Sequence, residues 1–251
     1  MTEAGQGERL PSSVDGLLEL AFAGYVQRIG LYLALAAGIF AVYVAIEFAP
    51  FPPDGVAREA AYIAGSLVAD ALLVGAVAMG IAARIAGKPL TSRAVLGAAT
   101  DRWLPVMGAL TITNFFVSYT SDLGALGPDR GPFMFAAPLF WLLWGAMALS
   151  GPVAALSSDP PALAIVTGFA RAVAISLRVQ NLARLCLVAF AAVVPLLLGE
   201  IVYDLMHQHG IGHALFWANA PIDALATGPL AALQTVFALD FARRGRSTSS
   251  G

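Results

Sequence analysis

The sequence predicts an all-α polytopic membrane protein, with six transmembrane helices in three hairpins, each hairpin preceded by a cytoplasmic amphipathic surface helix. Three observations carry this expectation. Only 12% of the residues are charged and 59% are hydrophobic, whereas a soluble domain carries roughly 25% charged residues. Uncharged runs of bilayer length alternate with turns rich in Pro, Gly and Asp. The 14 Lys and Arg residues also fall very unequally on the two sides of such a topology.

Residues 1–11 read as a polar tail. Its Glu3 and Glu8 supply no positive leader to an apolar core, so a cleaved signal peptide is not expected. Ser12-Ser13-Val14-Asp15 resembles a capping box that starts a weakly amphipathic helix reaching Arg28. A first span from about Ile29 to Ile46 ends at Glu47, and Pro50, Pro52, Pro53 and Asp54 form a turn. The second span, about Ala60 to Ala83, has small residues at Ala76/Gly80 and Ala78/Ala82, spacings that permit close packing.

The second unit opens at Lys88-Pro89-Leu90-Thr91, with Thr91 as cap and Arg93, Gly97 and Thr100 on one face. Trp103 beside Arg102 fits an interface anchor. The third span covers about Leu104 to Thr120, followed by a turn with Asp122, Pro128, Asp129 and Arg130. The fourth, about Phe133 to Leu156, has no charge in 24 residues, ample for a hydrocarbon core of about 30 Å.

The third unit begins at Ser157-Ser158-Asp159-Pro160-Pro161. Asp159 is the expected cap, with Thr167, Arg171, Arg178 and Asn181 on one face of a single helix and Phe169, Val173 and Leu177 opposite. Its fifth span runs from Leu185 to about Gly199, and a polar loop follows with Glu200, Asp204, His207, His209 and His213. The last span, about Ile222 to Leu239, exits at Asp240-Phe241-Ala242-Arg243-Arg244, and 245–251 form a second tail. One membrane domain therefore occupies 12–244. The three units share pattern more than residue identity.

Orientation follows from the cationic residues. Arg9, Arg28, Arg84, Lys88, Arg93, Arg102, Arg171, Arg178, Arg184, Arg243, Arg244 and Arg246 fall on one side, and Arg58 and Arg130 on the other, a split of 12 to 2. The positive-inside rule then makes both termini cytoplasmic. The net charge of −2 argues against a nucleic-acid partner. The single cysteine, Cys186, excludes an intrachain disulfide.

Asp70, near the middle of the second span, is the one residue whose placement costs most, roughly 2.5–3.5 kcal/mol on insertion scales. Such a residue is either a transport or proton site or a packing group paired with Thr113 or Asn114 of the third span. Asp204, His207, His209 and His213 have metal-ligand chemistry, but Gly210 and Gly212 interrupt them, so a polar loop is expected and no metal is assigned. Asp223 reads as a residue near the interface, and Asp240 as an interfacial pair with Arg243 and Arg244. Ser150-Gly151-Pro152 has no intramembrane histidine to activate its serine. HExxH, Gly-rich phosphate loops and Cys pairs are absent, so neither an enzyme nor a cofactor is expected.

Several stretches resemble the membrane domain fused to some bacterial glycerophosphodiester phosphodiesterases and related six-span bacterial membrane families of unknown function. They are Ser13 to Arg28, Gly87-Lys88-Pro89-Leu90-Thr91-Ser92-Arg93-Ala94 through Trp103-Leu104-Pro105, Pro152 to Arg184, and Phe237-Ala238-Leu239-Asp240-Phe241-Ala242-Arg243. The last departs from that family's exit motif, with Ala238 and Leu239 where tyrosines are common and Phe241 where leucine is common. The resemblance implies an accessory bacterial inner-membrane module without catalytic residues, because no stretch here matches a phosphodiesterase domain.

Two functions are expected from these residues. The first is a non-catalytic module binding anionic lipid or a partner protein through Arg93, Arg102, Arg171, Arg178 and Arg184. The second is a small secondary transporter or proton-coupled permease using Asp70, with Pro105, Pro138, Pro195 and Pro229 available to break or kink spans.

Overall fold

The computed structural model describes residues 10–50, 56–88, 90–124, 137–211 and 213–247. The expected turns at Pro52-Pro53-Asp54 and Pro128-Asp129-Arg130, Pro89, the first residues of the fourth span and the chain ends lie outside them. Every regular element among the described residues is helical: α1 Val14–Val26, α2 Ile29–Glu47, α3 Val56–Ile85, α4 Ser92–Asp101, α5 Trp103–Gly124, α6 Ala137–Ala148, α7 Ser150–Leu156, α8 Pro161–Ser176, α9 Leu182–Gln208 and α10 Ala214–Ser247, with a 3-10 turn at Val179–Asn181.

Five helical segments among the described residues are long and apolar enough to cross a membrane: Ile29–Glu47, Ala60–Ile85, Ala137–Leu156, Val179–Gln208 and Phe216–Gly245. The expected third span lies in α5, whose apolar part, Trp103–Val117, is shorter. The expected fourth span is broken between α6 and α7. Pro152 explains the break, since it has no N–H for the Ala148 carbonyl and its ring crowds that carbonyl. Large apolar side chains face outward, including Phe22, Phe115, Phe190 and Leu225. In water such a surface would aggregate, whereas lipid is its natural solvent.

The three helices expected on the surface are docked into the bundle. Ser13 caps α1 by accepting from the Gly16 N–H at 3.2 Å. The helix buries Leu17, Leu20, Ala21 and Gly24. Arg184 binds the Ser12 carbonyl, and a Cβ on Gly228 would come within 2.8 Å of the Tyr25 ring, so α1 runs antiparallel along α10. Thr91 caps α4 through the Ala94 N–H at 3.2 Å. Val95 and Ala99 are buried, and a Cβ built on Gly75 would lie 3.5 Å from Ala99 Cβ. Gly75 stands ten residues before Ile85, roughly 15 Å along α3. Trp103 donates its indole N–H to the Val68 carbonyl at 3.1 Å, so it fastens helices together rather than standing alone as an interface anchor.

α8 departs most from expectation. Asp159 is not its cap: Pro160 holds the N-cap and Pro161 starts the helix. The helix stops at Ser176, so Arg178 and Asn181 do not continue the face of Arg171. Asn181 is fully buried and donates to the Ile175 carbonyl at 2.6 Å. The buried seam is Ala164, Gly168, Ala172 and Ser176, an i, i+4 row of small residues. Phe169 and Val173 are only half-buried. Small side chains win this seam because they let backbones approach when lipid is as apolar as any core residue. Gly145 does the same between α6 and α9, where a Cβ would fall 2.7 Å from the Ala189 Cα.

Candidate functional site

The site is assembled from helical register. On α3, Tyr62, Ser66 and Asp70 stand at i, i+4 and i+8, and on α2 Tyr43 and Glu47 stand at i and i+4, so each set shares one face. On α10, Asp223, Thr227 and Gln234 share another face. The faces on α3 and α10, with α5, α6 and α9, line a cavity of about 340 Å³, and the α2 face stands behind it.

Two carboxyl groups line it. Asp223 Oδ2 accepts a hydrogen bond from the Tyr43 hydroxyl. Ser66 bonds to the same tyrosine. Asp70 is partly accessible, yet its Oδ1 is enclosed and has no hydrogen-bond partner. No Lys, Arg or His stands among the described residues of the wall. The polar remainder comes from Thr113, Asn114, Thr227 and Gln234, and the Trp144 indole and Val74, Leu110 and Val193 add apolar surface. Pro195 also lines the cavity. Its missing N–H leaves the Ala191 carbonyl without the usual helical donor.

Several neighbours are already committed. Thr113 donates to the Met147 carbonyl at 3.1 Å and lies 3.0 Å from the Ser150 hydroxyl. Ser150 is fully buried and also bonds the Ala109 carbonyl at 3.4 Å. The indole N–H of Trp144 donates to Thr120 at 2.9 Å, which leaves its ring to the cavity. Asn114 shares the cavity with Asp70, whereas Thr113 is held by α6 and α7.

Beside the cavity stands a second polar group. Glu47 is buried at the end of α2, accepting from the Tyr62 hydroxyl through Oε2 and meeting His213 Nδ1 through Oε1. The Tyr43 and Tyr62 rings are 5.6 Å apart. Polar side chains therefore follow one another from His213 through Glu47, Tyr62 and Tyr43 to Asp223. His213 is thus drawn to Glu47, and His207 stacks on Tyr203 at 5.6 Å. Among the described residues no group of three or more His, Cys, Asp or Glu side chains converges as a metal site would require.

The arginines expected to face lipid divide in two. Arg93 and Arg178 are exposed, and Arg171 is 55% exposed while pairing with Asp159 at 3.0 Å. Arg102 instead donates to the Asp159 carbonyl at 2.8 Å. Arg184 pairs with the fully buried Asp240, which Arg243 also reaches at 2.6 Å and Arg244 at 2.9 Å. Asp240 is thus a buried hub joining α9, α10 and the N-terminal segment, through Arg184 to Ser12 and through Arg243 to Leu10 and Pro11. Outside the spans, hydrogen bonds from Thr167 and Ser157, and then the Arg171 charge, hold the Asp159 carboxyl below its ordinary range.

Sequence reasoning singles out Asp70 and Asn114 but passes over Asp223 and Tyr43. The signal for Asp223 was the length of the last helix: α10 begins at Ala214, which places Asp223 more than two turns inside it. No family model, no curated protein and no solved structure matches this chain.

Proposed function

We propose that this chain is a small secondary transporter or proton-coupled permease of a bacterial cytoplasmic membrane, with Asp70 and Asp223 as its intramembrane binding pair. The observation that carries this reading is the cavity itself. Two carboxyl groups face it without a cation in the described wall, and one carboxyl oxygen lacks a partner. Ionisable groups inside a bundle mark solute and proton paths.

The topology proposed with it has six spans and cytoplasmic termini. α5 supplies the sixth span, because its 22 residues extend about 33 Å at 1.5 Å per residue. The 12 to 2 division of Lys and Arg supports the orientation. Flux in proteoliposomes carrying a pH gradient tests the reading, with Asp70→Asn expected to abolish it. A variant with full flux would remove Asp70 from the mechanism.

A second reading, the lipid- or partner-binding module, draws on α8, where Leu163 and Val166 are exposed beside Arg171. Arg93 and Arg178 are also exposed, while Arg102 and Arg184 are occupied internally. The double variant Arg171→Glu, Arg178→Glu should then lose flotation with vesicles containing phosphatidylglycerol. Equal flotation would count against it.

A further inference from the structure

We propose that the cavity binds a small organic monocation, an ammonium bearing an aryl or alkyl group, and releases a proton as it does so. The biological use of this site rests on the transporter reading, but the ligand class rests on the wall chemistry alone.

Charge decides the class first. An anionic ligand would face Asp70 and Asp223 with no Lys, Arg or His among the described lining residues to receive it. A neutral polar ligand tolerates only the protonated carboxyl, because an ionised one would lack a counter-charge in the described wall, at a cost. A cation removes that cost. Asp223 already accepts from Tyr43, so the enclosed and unpartnered Oδ1 of Asp70 is the open position.

Shape and surface then narrow it. The volume of about 340 Å³ lies at the small end of ligand pockets, which run to roughly 1,000 Å³. The Trp144 ring, with its N–H already turned to Thr120, offers a π-face, and Val74, Leu110 and Val193 offer methyl contacts. Aromatic faces and carboxylates together are how proteins recognise quaternary ammonium groups. Metal cations fit less well, because they need several oxygens at short range, and among the described residues no group of three or more His, Cys, Asp or Glu side chains converges.

Proton release follows from charge balance. Without a ligand, the species available to cancel a carboxylate charge in the enclosed wall is a proton. A monocation seated at Asp70 replaces it, and the displaced proton passes to solvent. Net charge inside the cavity is unchanged, so the exchange avoids stranding an extra charge in hydrocarbon.

The test uses the full chain in nanodiscs with benzyltrimethylammonium as probe and neopentylbenzene as its uncharged isostere. We expect saturable binding of the cation, release of a proton into weak buffer on binding, and affinity for the isostere lower by at least about tenfold, the size of a desolvated cation–π contact. Asp70→Asn should lose the cation and the proton signal, and Asp70→Glu should retain both, which separates loss of charge from loss of fold. Equal binding of the isostere, or full cation binding by Asp70→Asn, would overturn the ligand class. Absence of cation binding alongside Asp70-dependent flux of another solute would overturn this inference while leaving the transporter reading intact. Flux independent of Asp70, with cation binding preserved, would do the reverse.

Discussion

The Tyr43 hydroxyl donates to the Asp223 carboxyl group across a sequence separation of 180 residues, joining α2 to α10 at the wall of the cavity. The contact fixes one carboxyl oxygen and leaves Asp70, on α3, as the less constrained member of the pair. Tyr43→Phe keeps the ring against Tyr62 but leaves the half-buried Asp223 carboxyl without this donor. An unmet buried acceptor costs about 1–3 kcal/mol, so the variant should unfold at a lower temperature in mild detergent. Tyr119→Phe, at a position 82% exposed, should leave the transition where it is. Equal transitions for the two variants would show that the hydroxyl does not hold Asp223.

Asp240 carries a different load. Its side chain is fully enclosed and receives Arg184, Arg243 and Arg244, two of which also bind carbonyls of the N-terminal segment. Removing one member of a buried ionic group leaves uncompensated charge, at a cost of about 3–5 kcal/mol. Asp240→Asn should therefore unfold well below the wild type and expose residues 10–13 to protease. The double change Asp240→Met, Arg184→Met should be the milder one, because it removes an anion and a cation together. A double variant as damaged as the single one would show that packing, not charge balance, holds this hub.

How much of this was legible in the chain depends on the reach of each interaction. Thr91 caps the helix it was expected to cap, and within the expected capping box Ser12-Ser13-Val14-Asp15 it is Ser13 that caps α1, because capping is decided within four residues. Asp159 failed the same expectation. Pro160 and Pro161 took the helix start, and the aspartate turned instead to Thr167 and Arg171. Asp70 stood out because it interrupts a long apolar run. Asp223 did not, because Pro221 and the polar residues before it resemble a loop, while tertiary packing carries α10 through them. Arg184 resembled a lipid-facing cation for a similar reason: its partner is 56 residues away on another helix. Local chemistry was readable, and the pairing of distant helices was not.

Asp159 also yields a pH prediction. Its carboxyl lies below the ordinary range because Thr167 and Ser157 donate to it and Arg171 adds positive charge. A depressed carboxyl contributes stability that is present above its unfolded value, about 3.9, and is lost as pH falls through the lower folded value. Thr167→Val removes the largest of these causes. Its Asp159 carbon resonance should titrate at higher pH than in the wild type, and the variant should lose its acid-dependent stability earlier on acidification. An unmoved titration would mean that Ser157 and Arg171 set the ionisation without Thr167.

The number of spans is the last quantity that experiment can decide. With Cys186→Ala as background, the single changes Thr248→Cys and Asp129→Cys report on sidedness in intact cells. Six spans with cytoplasmic termini predict that an impermeant maleimide labels the Asp129→Cys variant and spares the Thr248→Cys variant. Two residues explain why α5 is the helix in question: Thr111 and Thr113 are polar, yet each bonds a carbonyl one turn back or on α6, at 2.8 and 3.1 Å. Satisfied hydroxyls of this kind are tolerated in hydrocarbon, so hydropathy understates what α5 can cross. If α5 does not span and the N-terminus is cytoplasmic, the pattern reverses, with Asp129→Cys spared and Thr248→Cys labelled, because three further spans separate the two positions. The cavity wall carrying Thr113 and Asn114 would then belong to a re-entrant helix.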